Sequence, residues 1–127
     1  MSGTNVKMIY NLEERTARFA ESVIDFVKSV GVTSINKRII EQLIGSAGSV
    51  GANYCEANEA ESRRDFIHKI SIAKKEIKET KHWLRLLARV ETLRVEDIRN
   101  LLQETQELLL IFSKIITTSK KNEKESN

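Results

Sequence analysis

The sequence predicts an all-α fold, an antiparallel up-down-up-down four-helix bundle, on three observations. Proline is absent from the 127 residues, and Glu, Lys, Leu, Ile, Ala and Arg, which helices tolerate or favour, dominate the chain. Four segments carry apolar residues at alternating steps of three and four, the spacing that lines one face of a helix. The connections between them are short, so consecutive helices must pack as antiparallel neighbours. The length fits one domain, and 40% hydrophobic content is enough for one compact core.

Residues 1–10 show neither a cap nor a sustained period and are expected to form a loose lead-in, from which Met8 and Ile9 could dock on the bundle. The first helix is expected from Asn11, where Asn11 and Glu14 have capping-box spacing. Leu12, Thr16, Phe19, Val23, Phe26 and Val30 form its stripe, and Gly31 suits the backbone just past a helix end. Asn36 is the next cap candidate. It opens a second helix over about 37–58 with the stripe Ile40, Leu43, Ala47, Val50 and Tyr54.

That second helix carries Gly45, Gly48 and Gly51, each costing about 1 kcal/mol relative to alanine. Three such costs within seven residues suggest tight helix packing. The alternative is a frayed or bent segment. Ser62 and Asp65 repeat the cap signature and start a third helix that runs to about Val90 on Phe66, Ile70, Ala73, Ile77, Thr80, Leu84 and Leu87. Residues 92–95 should turn the chain. Ile98, Leu101, Leu102, Thr105, Leu108, Leu109, Phe112, Ile115 and Ile116 then mark the fourth helix, and the bundle is expected to end at 119 with a disordered charged tail over 120–127.

The third helix has more apolar surface than one bundle needs. Ile72, Trp83, Leu86 and Val90 fall to one side of its main stripe, and Leu110 and Ile111 do the same on the fourth helix. Such wide arcs point to a subunit interface, the alternative being a wide face within the bundle. Another arc of the third helix, about 100° wide, gathers Arg63, Lys74, Lys78, Lys81, Arg85 and Arg89, with Arg64 and Lys75 at its margin. A basic stripe of this length can follow a phosphate backbone. It equally describes a solvated face, or one neutralised by acids such as Glu104 and Glu107. The net charge of +3 is only permissive, and no aromatic interleaves the stripe to stack on bases.

Polar residues beside the core need partners. Asn53, Glu56, Lys69, Glu76 and Glu79 are read as a structural network in which Lys69 bridges Glu56 and Glu76. Catalytic patterns are missing. Asp65 with His68 and Glu79 with His82 have di-metal helix spacing, but both pairs lie on one helix and outside its core stripe, so no metal is expected. Cys55 has no adjacent basic residue to favour its thiolate and reads as a small buried filler. The three glycines lack the strand and lysine of a phosphate loop. No nucleophile, base and orienting group assemble, so the chain reads as non-enzymatic and without a cofactor. A lone cysteine and the lack of a signal peptide or an 18-residue apolar run point to a cytoplasmic setting away from the membrane.

Several segments carry a specific resemblance: S-x-x-S-V-x-A-N from Ser46 to Asn53, the pairs Glu56-Ala57 and Glu59-Ala60, and S-x-x-D-F from Ser62 to Phe66. To these are added H-K-I-S-I-A from His68 to Ala73 and E-T-K-H-W-L from Glu79 to Leu84. Together they resemble the bacterial four-helix-bundle proteins of 23S ribosomal RNA intervening sequences. A branch of that family serves as the accessory variability protein of diversity-generating retroelements. The resemblance implies a homopentamer, and by its retroelement branch a basic assembly that contacts RNA or DNA and a reverse transcriptase. It implies no catalytic residues. Cys55 departs from the aliphatic residue more usual there.

Overall fold

The computed structural model describes residues 11–126, so the expected lead-in over 1–10 lies outside the described residues. Among the described residues four helices follow one another: α1 (Leu12–Val30), α2 (Lys37–Asn58), α3 (Arg63–Val90) and α4 (Val95–Ser126), with a 3-10 turn, Thr92–Arg94, before α4. Each helix packs on the next, α2 against α3 most extensively, while α1 and α4 meet only sparsely and the backbones of the diagonal pairs stay apart. Partners run in opposite directions along the chain, Ser46 meeting Thr80 and Glu56 meeting Lys69. This is the up-down-up-down bundle that the periodicity predicts.

The core follows the stripes. Leu12, Phe19, Val23, Ile40, Leu43, Ala47, Val50, Ile70, Ala73, Ile77, Leu84, Leu87, Ile98, Leu108 and Phe112 are buried. Tyr54 lies tilted against Phe112 at 5.8 Å, linking α2 to α4 across the centre. Thr16, Ser46, Thr80 and Thr105 are buried with them, each hydroxyl bonded to a carbonyl within its own helix. Thr80 Oγ1 also reaches Ser46 Oγ at 2.9 Å, a polar contact between α2 and α3 inside an otherwise apolar seam.

The helix ends depart from the sequence reading in instructive ways. Ser62 caps α3 as expected, its Oγ accepting from the Asp65 N–H at 3.0 Å. Asn11 opens α1 without a side-chain cap, and Glu14 binds Arg18 at 2.9 Å instead of reaching back. Gly31 stops α1 with φ +82°, a backbone angle that side chains resist. Asn36, fully buried, caps nothing forward. Its Oδ1 accepts from the Thr33 N–H at 2.7 Å, and its Nδ2 lies 3.0 Å from the Gly31 carbonyl and 3.1 Å from Glu91 Oε2, tying the α1–α2 and α3–α4 connections together.

Two further expectations are corrected. Only Gly51 marks a close approach: a β-carbon there would lie 3.0 Å from Thr16 Oγ1 on α1, whereas at Gly45 and Gly48 it would meet nothing within 4 Å. The residues expected to form a disordered tail continue α4 to Ser126. No glycine or proline interrupts them, and extending an existing helix costs far less than nucleating one.

Candidate nucleic-acid and subunit interfaces

The bonds to neighbouring helices orient α3. Its Thr80 side faces α2, and on the other flank Lys81 Nζ donates to Gln106 Oε1 of α4 at 3.2 Å. The basic stripe therefore occupies the outer surface on the α4 side. Arg63, Lys78, Lys81, Arg85 and Arg89 are exposed and Lys74 is half-buried. Among the described residues Lys74, Lys78, Arg85 and Arg89 make no hydrogen bond or ion pair. The acids that might have neutralised them are engaged elsewhere: Arg15 of α1 grips Glu104 with two bonds of 2.8 and 2.9 Å and reaches Glu107 at 3.3 Å. Those bonds raise the Arg15 pKa, the Glu104 hydrogen bond being the largest cause.

The second apolar arc lies on the outer surface of α3 toward α2. Ile72, Trp83 and Val90 are half-buried and Leu86 is exposed. His82 packs edge-on to Trp83 with ring centres 5.0 Å apart. On α4, Leu110 is 61% exposed, whereas Ile111 packs against the core.

The polar residues do not form the expected network. Lys69 approaches Glu56 at 3.8 Å, but no bond joins it to Glu76. Asn53 turns back on its own helix, donating to the Ser49 carbonyl at 2.8 Å. Glu76 sits beside Glu79, and burial, then the neighbouring carboxylate, push its carboxyl above the ordinary range. An alternation of acid and base along one helix does not decide which rotamers meet. Here Glu76 and Glu79, one turn apart, face each other.

Metal-ligand chemistry finds no constellation, since no group of three or more His, Cys, Asp or Glu among the described residues could hold an ion. Cys55, expected as a buried filler, is half-exposed, and burial and then Glu13 raise its pKa. No helix among the described residues is long and apolar enough to cross a membrane.

Two surface features lie outside the helix stripes. Between α1 and α4 the surface opens into a cleft of about 860 Å³, walled by Arg15, Arg18, Ser22 and Glu104 over Phe19, Phe26 and Leu101. At the end where Asn36 joins the two connections, Val32, Ile35 and Leu93 stand exposed, Leu93 at 96%. The second feature had a signal in the sequence, because aliphatic residues in segments read as turns contradict the usual polarity of loops. The cleft had none, being a property of two helices that pack loosely.

Fold and surface together define, among the described residues, a four-helix bundle with a basic outer face. The chain belongs to the 23S rRNA-intervening sequence protein family, whose model matches residues 10–114. Its structure is similar to the crystal structure of a protein of unknown function from the S23 ribosomal protein family of Bacteroides thetaiotaomicron. The two are 32% identical, with a TM-score of 0.72 over 82% of this chain and 96% of the other. Among curated proteins nothing matches the chain.

Proposed function

We propose that the protein is a non-enzymatic, cytoplasmic homo-oligomer, a pentamer as its family resemblance implies, that binds RNA or DNA through the basic stripe of α3. The observation that carries this reading is the row Lys74, Lys78, Arg85 and Arg89, cations on one face with no carboxylate partner among the described residues. Unpaired cations retain their full attraction for phosphate, and the row follows the helix for several turns. The absence of stacking aromatics gives base stacking no support and leaves charge as the main attraction.

The test is salt. If five phosphates are contacted, affinity for duplex DNA should fall roughly 500-fold between 50 and 200 mM salt, and somewhat less for single strands. Reversing two charges, Lys78→Glu with Arg85→Glu, should abolish binding while helicity is retained. Salt-insensitive binding, or binding that survives the double reversal, would remove the stripe as the site.

A second reading, a protein-interaction scaffold with no nucleic-acid role, is favoured by the exposed tips Val32, Ile35 and Leu93. Aliphatic side chains held this far into solvent are a common mark of a partner surface. A partner such as a reverse transcriptase, retained after nuclease treatment and lost on Leu93→Asp, would support it.

A further inference from the structure

The basic stripe of α3 has a gap. Between Arg64 and Lys74, about 15 Å of helix, the lysine present is Lys69, and it turns away to Glu56 of α2. The charge missing there stands on α4. No acidic residue occurs from Leu108 to Asn122, and Lys114, Lys120, Lys121 and Lys124 are exposed, making no hydrogen bond or ion pair among the described residues.

Two contacts show how those lysines stand beside α3. Lys81 Nζ donates to Gln106 Oε1 at 3.2 Å, which sets the two residues level and marks the flank of α4 that borders α3. Counting away from that contact at 1.5 Å per residue, in opposite chain directions, brings Lys114 level with Lys74 and Lys124 level with Arg64, each to within about 2 Å. The second match is visible directly, because Arg64, Lys120 and Lys124 line one hollow with Ile67 and Glu123. Glu123, the acid in that hollow, already has a partner. At 100° per residue the four lysines fall within about 80° of Gln106, so they continue the α3 face onto its neighbour.

We infer that the phosphate site crosses from α3 onto α4 and takes a nucleic-acid duplex; this rests on the nucleic-acid reading above. From Arg89 to Lys74 on α3 the cations span about 22 Å, and with Lys114 to Lys124 they form one track of about 39 Å. At 3.4 Å per base pair that is the length of about 11 base pairs, against about 6 for α3 alone. The track runs over the outside of two packed helices, and every Phe, Tyr and Trp among the described residues is buried or half-buried. A single strand would find no ring there on which to stack its bases, whereas a duplex arrives already stacked, with a charge every 1.7 Å or so of its axis turned outward.

Binding measured by fluorescence anisotropy tests both parts. Duplexes of about 6 and about 12 base pairs, in DNA and in RNA, are compared with a single strand of the longer length. Affinity should rise steeply between the two duplex lengths, the single strand should bind more weakly, and the tighter of the DNA and RNA duplexes identifies the source. Lys114→Glu with Lys121→Glu leaves the α3 row intact, yet it should cancel the advantage of the longer duplex and lower the salt slope by about 2, one phosphate contact for each lysine. Lys28→Glu with Lys37→Glu makes the same change in net charge at exposed sites elsewhere and should keep the slope. Glutamine replaces glutamate in any variant that loses helicity. If the α4 reversal behaves like this control while Lys78→Glu with Arg85→Glu abolishes binding, the site ends on α3 and the crossing is wrong although the stripe stands. A single strand bound as tightly as the duplex would overturn the duplex assignment. Binding that survives the α3 reversal, or no binding at all, would remove the nucleic-acid reading and this inference with it.

Discussion

Glu76 shows how a single side chain registers its surroundings. Half-buried on α3 and one turn from Glu79, it holds its proton more tightly than an ordinary glutamate because burial and then its neighbour oppose the charge. The folded chain therefore binds more protons than the unfolded one. Stability falls as pH rises from the ordinary glutamate value of 4.5 through the raised folded value, and the whole penalty is present at neutral pH. Glu76→Gln is expected to stabilise by less than about 1 kcal/mol at pH 7, solvent screening keeping the effect small. The gain should vanish below pH 4.5, and urea titrations at the two pH values measure the difference. An equal gain at both would mean that charge is not its cause.

At the level of the helix, the glycines of α2 separate two kinds of small residue that look alike in sequence. Gly51 lies under Thr16, whose hydroxyl is committed to the Glu13 carbonyl, so an added methyl forces a shift in α1. Gly45 and Gly48 face open space. Gly45→Ala and Gly48→Ala should each stabilise by about 0.5–1 kcal/mol through helix propensity alone, and Gly51→Ala should gain less or destabilise. Thermal melts of the three variants decide it, and three equal gains would deny the close contact.

The same comparison shows what was legible beforehand. The extents of α1, α2 and α3 and the core stripes were, because burial acts on every third or fourth residue and leaves a period that can be counted, whereas the end of α4 was not. The Ser62 cap was also legible, since its partner is three residues away. Asn36 was readable only as a local cap, because the atom that explains its burial belongs to Glu91, 55 residues on. The basic stripe and the surplus apolar arc were legible as faces, but their surroundings were not. The pairing of Glu104 and Glu107 with Arg15, and the failure of Lys69 to reach Glu76, depend on rotamers and on helix spacing that no single helix encodes.

Across the whole molecule, α1 is held unequally: α2 packs along it, whereas α4 touches it sparsely, with the Arg15–Glu104 grip among the contacts, and the turn before α4 adds the Arg94 contacts with Ser29 and Phe26. A bundle so joined has a preferred line of partial opening, in which α1 swings outward on its connection while α2, α3 and α4 keep their shared core. Backbone amides of α1 should therefore exchange with deuterium well before those of α2 and α3. Anything that bridged α1 to α4 across the cleft would block that outward swing. Slow exchange along α1 would then report that the cleft is occupied, so the loosest joint of the bundle becomes the gauge of what binds across it.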